Sequence, residues 1–237
     1  VEGELGVLAG VEDQVFSQGS TYTNPLKAVE FFRKTGVDAL AISYGTMHGA
    51  SKGKDVKLRK EIATAIRECL SHEGIFGALV SHGSSTVPKY IVDEINALGG
   101  ELTNTYGIAV EELQAAIPCG INKINVDTDI RLAVTRNMKE LFVKYPELRT
   151  SASIGEIYEL LEAKKSQFDP RVFLPPIMDT VMKGNIPDED VAAIVNCVER
   201  GVKEVVGTLI VQFGSFGKAP LVEQVTLEEM IERYKKI

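Results

Sequence analysis

Four short β-rich apolar runs, each followed by a segment of helical period, constrain this chain more than any other feature. The runs span residues 1–6, 37–44 (V-D-A-L-A-I-S-Y), 75–81 (I-F-G-A-L-V-S) and 121–126 (I-N-K-I-N-V), and the helical segments between them span 25–35, 56–70, 87–98 and 110–117. Strand, helix and strand in alternation read as βαβ units, which bury a parallel sheet beneath helices. Helix ends are marked as well. Asn24 can cap a helix with Pro25 at its first position, Gly36 can close it, and Gly99-Gly100 ends another. One unit roughly every forty residues suits a doubly wound sheet or an α/β barrel.

After Asp127 the strand pattern stops, and helical period recurs at 130–144, 154–165, 171–183, 188–213 and 226–236, the last a surface helix by its E-E-M-I-E-R-Y-K-K spacing. A complete eight-stranded barrel takes about 250 residues. This chain of 237 residues supplies four strands and then helices. Four parallel strands alone leave edges with unpaired backbone groups. Either the chain is a doubly wound domain or it is the C-terminal part of a larger barrel; a first strand that begins at Val1 without a leading Met favours the second.

Lys and Arg number 26 against 33 Asp and Glu, a net charge of −7 with no basic cluster, which argues against a nucleic-acid partner. An anionic ligand must therefore be held by local cations or backbone N–H groups against the overall field. Hydrophobic residues at 44% and charged residues at 25% exclude a disordered or collagen-like chain. No stretch of about 18 uninterrupted apolar residues and no basic-then-apolar leader occurs, so no membrane partner and a cytoplasmic location are expected. Cys69, Cys119 and Cys197 are odd in number and far apart, which suggests neither a disulfide framework nor a cysteine zinc site.

Polar residues gather just after each strand: Glu4 and Gly6, then G-T-M-H-G-A-S-K (45–52), S-H-G-S-S (81–85) and N-V-D-T-D (125–129). In parallel α/β folds this end of the sheet is the active face. A single histidine is usually structural, but His48 and His82 occupy equivalent places, each followed by glycine, where two imidazoles can face a zinc-like ion across a barrel mouth. His72 falls at the opposite end, as a surface residue. Gly83, Ser84 and Ser85, with Thr128 and Lys52 near, can form a backbone nest for a phosphate, although Gly-Ser-Ser is also a plain turn. Glu2 and Glu4 share one side of the first strand; pointing inward they require a cation, and on an exposed edge they require none. Glu12 and Asp13 open a segment long enough to be a mobile loop, where they also read as a solvated pair.

These residues come in a familiar order. V-E-G-E-L-G…G-V-E-D, Y-T-N-P, T-G-V-D-A-L-A-I, G-T-M-H-G-A-S-K, S-H-G-S-S-T-V-P, I-N-K-I-N-V-D-T-D-I-R-L-A and F-D-P-R-V-F-L resemble the class II fructose-1,6-bisphosphate aldolases from residue 1 to about residue 219. The resemblance implies a (β/α)8 TIM barrel, of which this chain carries about the C-terminal four strands plus extra helices. It implies reversible, Zn2+-dependent cleavage of fructose-1,6-bisphosphate, with a monovalent cation alongside, in a homodimer or homotetramer. On matching positions, it implies that His48 and His82 bind the metal and that Glu4 binds it in an alternative or second position. Gly49, Lys52, Gly83, Ser84, Ser85 and Thr128 would cradle one phosphate, Asn125 and Asp127 would contact the triose, Arg171 would bind the other phosphate, and Glu12 would move the proton.

Departures from the family pattern are equally specific. The D-H-G motif that carries a third metal histidine and the acid/base aspartate is absent here and is expected upstream of Val1 or on another chain. Ser51 replaces an aromatic. Residues 145–167 resemble a helical insertion and 220–237 an extension, both suited to oligomer contacts. Two other readings stay open: a tagatose-1,6-bisphosphate aldolase, against which Asp127 argues because that branch resembles N-V-A-T-E, and a non-catalytic half-barrel that binds a sugar phosphate.

Overall fold

The computed structural model describes residues 1–8, 10–12, 15–17, 21–50, 52–53 and 55–235, with only the backbone described at 10–12 and 15–17. Four strands, β1 (Glu2–Leu5), β4 (Ala39–Ile42), β5 (Ala78–Ser81) and β6 (Ile121–Ile124), form one parallel sheet in the order β1-β4-β5-β6. Chain order equals spatial order, the sequence of strands around a barrel wall, and the architecture is a partial α/β barrel. The pairs Glu4 with Ala41, Ala41 with Val80 and Val80 with Lys123 put these residues on one face. The alternate residues Leu40, Ile42, Leu79 and Ile121 face the other way. They pack into a buried cluster with Phe32 of α1 (Pro25–Thr35), Ile66 and Leu70 of α2 (Lys60–His72) and Leu113 of α4 (Val110–Ala116).

Local chemistry explains why these helices start and stop. The Asn24 side chain accepts from the Leu26 and Lys27 N–H groups, Pro25 fills the first helical position, and Gly36 closes α1 from the left-handed region at φ 65°. The helical half begins with α5 (Thr128–Lys144) and continues through α6 (Gly155–Ala163), α7 (Pro175–Met182), α8 (Glu189–Gln212) and α9 (Leu227–Tyr234). Met138, Phe142, Ile157, Phe173, Ile194 and Cys197 build a second core there. A third cluster, with Ile91 and Ile95 of α3 (Lys89–Ala97), Leu132 of α5 and Val205 of α8, joins the two halves.

Three elements differ from the sequence reading. Residues 171–183 are not one helix: a 3-10 turn at Pro170–Val172 precedes α7, because the ring of Pro175 or Pro176 fits only a first turn. The segment read as a loop after β1 carries a short antiparallel ribbon, β2 (Gly10–Glu12) with β3 (Val15–Ser17), whose three-residue arms are too short to show a period. The strands are also shorter than their apolar runs. His72 ends α2 on the surface, Cys197 is buried, and Cys69 and Cys119 are half-buried thiols. No described helix is long and apolar enough to cross a membrane.

Candidate functional site

The carboxyl ends of the strands open into one pocket of about 730 Å3. His48, Gly49, Lys52, His82, Gly83, Ser85, Asn125, Asp127, Thr128 and Arg171 all line it, so the loops after β4, β5 and β6 converge as parallel strands require. Glu4 stands just beside the pocket. The side chain of Glu12, together with Asp13 and Ser51, lies outside the described residues.

His82 is held between the two acids of β1. Its Nε2 lies 2.9 Å from Oε1 of Glu2 and its Nδ1 3.5 Å from Oε2 of Glu4. Both acids lie exposed on β1, and Glu2 is paired by Lys123, whose Nζ reaches its second oxygen at 2.7 Å. Burial alone would raise the Glu2 carboxyl, but the hydrogen bonds from Lys123 and His82 outweigh it and hold the group below its ordinary range. Carboxylates against both ring nitrogens fix the orientation of the imidazole. Two imidazoles and a carboxylate are donor types that suit a zinc-like ion. Among the described residues, however, no three His, Cys, Asp or Glu side chains come close enough together to hold one.

Lys52 faces inward. It is 4% exposed, and its ammonium donates to the main-chain carbonyls of Met47 and Gly83, each next to a pocket histidine. Burial pushes its pKa down to about 8, partly opposed by the charge of Asp129. Gly83 has to be glycine: at φ 61° a side chain would be strained, and a Cβ would come within 2.7 Å of the Met47 carbonyl that Lys52 holds. Ser84 is buried away from the pocket, its hydroxyl bound to Ser81, which in turn meets the Tyr44 hydroxyl at 2.6 Å. Ser85 is the serine that reaches the start of α5, where its Oγ accepts from the N–H groups of Asp127 (3.3 Å) and Thr128 (3.1 Å). The Ser85 hydroxyl, whose own hydrogen remains to donate, and the positive end of the α5 dipole attract an anion there.

Asp129, one residue further, is fully buried and accepts from the Thr86 N–H (2.9 Å), the Thr86 hydroxyl (2.7 Å) and the Val87 N–H (2.8 Å). This clamp holds Val87 at φ 50°, a costly conformation for a β-branched residue, directly after the serine loop. Burial raises the Asp129 carboxyl despite those three donors.

Arg171 lies at the rim, half exposed, with its guanidinium on Asp169. Arg131, which sequence reasoning missed, joins Asp169 (2.8 Å) and Asp127 (2.5 Å) and lines the same pocket. Its i,i+4 spacing from Asp127 was the available signal. Burial would raise Asp169, but the hydrogen bonds and charges of Arg171 and Arg131 hold it low. An acidic chain thus offers two arginines, helix N–H groups and two histidines on one concave surface.

The profile of the family described as "Fructose-bisphosphate aldolase class-II" matches residues 1–218. Among curated relatives, the fructose-bisphosphate aldolase of Nostoc commune is 34% identical over 100% of this chain and 58% of its own length. The fructose-bisphosphate aldolase of Giardia intestinalis is 36% identical over 99% of this chain and 59% of its own. Fructose-bisphosphate aldolase 2 of Cereibacter sphaeroides is 32% identical over 99% and 58%. The chain therefore spans somewhat more than half the length of the relatives it matches. A solved fructose-bisphosphate aldolase from Campylobacter jejuni superposes on 81% of this chain and 44% of its own, with a TM-score of 0.46 at 16% identity, which adds nothing to the sequence match.

Proposed function

This chain belongs to the class II fructose-bisphosphate aldolase family, and from that premise we propose that its pocket seats a phosphorylated ketose and that the protein cleaves fructose-1,6-bisphosphate reversibly to dihydroxyacetone phosphate and glyceraldehyde-3-phosphate. The observation that carries the reading is the meeting of His48, His82, the Ser85-capped start of α5 and Arg171 in one pocket. One phosphate lies against the Ser85 hydroxyl and the N-terminal end of α5 at Thr128, with Gly49 and Gly83 letting the backbone approach. Lys52 acts on that cradle from behind, by tying its two loops together. Asn125 and Asp127 contact the triose hydroxyls, and the Arg171 fork takes the second phosphate.

Cleavage breaks the C3–C4 bond: a base removes the C4 hydroxyl proton, and the triose retains the electron pair as an enediolate, which is protonated at C3. Glu12 is the residue we assign to that proton at C3. A divalent ion such as Zn2+, when bound, supplies charge stabilisation to the ketone and enediolate oxygens, and this chain offers it His48, His82 and Glu4. The remaining histidine, His72, ends α2 on the surface; on this reading, as the family resemblance implies, a third imidazole and the acid/base aspartate are supplied from outside this sequence. On this reading the monovalent cation is retained, the reaction serves glycolysis and gluconeogenesis in the cytoplasm, and residues 145–167 and 220–237 contact other subunits of a homodimer or homotetramer.

One observation favours a second reading, a binding half-barrel without catalysis: no described trio of side chains completes a metal site. Turnover and calorimetric binding of dihydroxyacetone phosphate, measured on the same chain with zinc and with a chelator, separate them. Zinc-restored cleavage, faster on fructose than on tagatose bisphosphate, is expected; binding without turnover supports the half-barrel, and no binding overturns both.

A further inference from the structure

A second buried lysine lies outside this machinery. Lys139 is on α5, 4% exposed, and its Nζ has no hydrogen-bond partner among the described residues although an ammonium carries three donors. An orphaned buried charge is costly enough that native proteins supply it with an ion or water. Beside Lys139 lies a cavity of about 60 Å3, about twice the ~30 Å3 share of one liquid water.

Arg149, Tyr158 and Glu162, all from the 145–167 segment that the pocket does not use, form its wall together with Leu98. Arg149 is fixed there, with its Nε on the Phe142 carbonyl at 2.9 Å and its guanidinium 5.2 Å above the Tyr158 ring. Glu162 faces Lys165 at 3.6 Å and makes no hydrogen bond to Lys139. Two cations, Lys139 and Arg149, thus line the space against one carboxylate, Glu162, whose own charge is shared with Lys165.

We propose that this cavity is a site for a small inorganic anion, from chloride to phosphate in size, bound by the Lys139 ammonium and Arg149. The volume admits such an ion. Charge excess selects an anion over a second cation, and a buried orphan donor gives the ion a direct partner. The site is independent of the sugar-phosphate pocket, although both use α5, which begins at that pocket and reaches Lys139 eleven residues later.

Bromide tests this directly. In crystals grown with sodium bromide, an anomalous peak beside Lys139 Nζ is expected, and the melting temperature should rise in bromide or phosphate relative to sodium gluconate of equal ionic strength. Lys139→Met should remove that difference. Glu162→Gln, which deletes the competing carboxylate, should lower the half-saturating bromide concentration about threefold. Equal melting in bromide and gluconate, water density alone at the site, or weaker bromide binding in Glu162→Gln would overturn the proposal. Should Lys139→Met fail to fold, the anomalous map and Glu162→Gln still decide.

Discussion

Two lysines buried to the same 4% show how differently the two halves of the molecule treat a charge. Lys52 lies in a strand-to-helix loop, where main-chain carbonyls are not engaged by a ladder, and two of them receive its N–H groups. Lys139 lies in mid-helix, where the carbonyls of α5 are used by its own ladder, and finds no acceptor among the described residues. Buried charge therefore acts as a brace in the loop layer and as an open valence in the helical layer, because loops leave backbone acceptors available and helices consume theirs.

The largest expected effect is a pH dependence that would break this contrast if absent. The Lys52 pKa falls from its ordinary 10.5 to about 8 on folding, chiefly through burial. Between those values the unfolded chain binds more protons than the folded one, so the Lys52 contribution to stability rises with pH across that window. Urea denaturation should show the wild type gaining about 3 kcal/mol on Lys52→Met between the two ends of the window. The brace survives, since a neutral amine keeps two N–H groups for two carbonyls. A constant difference between the proteins would mean that the ammonium is not desolvated.

Next in size, Asp129→Asn should cost about 2 kcal/mol in the same measurement, because an amide turns one acceptor into a donor facing N–H groups while Val87 stays strained. Wild-type stability in that variant would show that the clamp holds nothing. In the helical layer the sign reverses. Lys139→Met, in gluconate, should be more stable by about 1 kcal/mol, since an apolar side chain of similar length removes an unpaired charge; destabilisation would reveal a partner for Lys139. Smallest of all, Arg171→Ala should change stability by less than about 0.5 kcal/mol, because the ion pair is half exposed and Asp169 keeps Arg131. The same variant should weaken binding of the bisphosphate in calorimetry, and unchanged affinity would remove Arg171 from the proposed site.

Much of the architecture was legible because it is periodic. Leu40 and Ile42, Ile66 and Leu70, or Met138 and Phe142 repeat at the spacing of a strand or a helix, so their elements could be read without contacts. The grouping of His48, His82 and Asp127 followed from the rule that parallel strands share one carboxyl end. What could not be read is the direction of individual polar groups. Ser84 and Ser85 are neighbours of the same type, yet one is buried against Ser81 and the other caps α5. The break before Pro175 was present in the sequence but masked by apolar spacing on both sides.

By itself the sequence determined the alternation of strand and helix, the face where histidines and glycines collect, and a family resemblance from residue 1 to about residue 219. Only the tertiary structure decided which buried charges have partners. Lys52 meets Gly83 across 31 positions and Asp129 meets Val87 across 42, whereas Lys139 meets no acceptor among the described residues. Periodicity is a property of neighbours along the chain. A hydrogen bond depends on where distant loops come to rest, to within a fraction of an ångström.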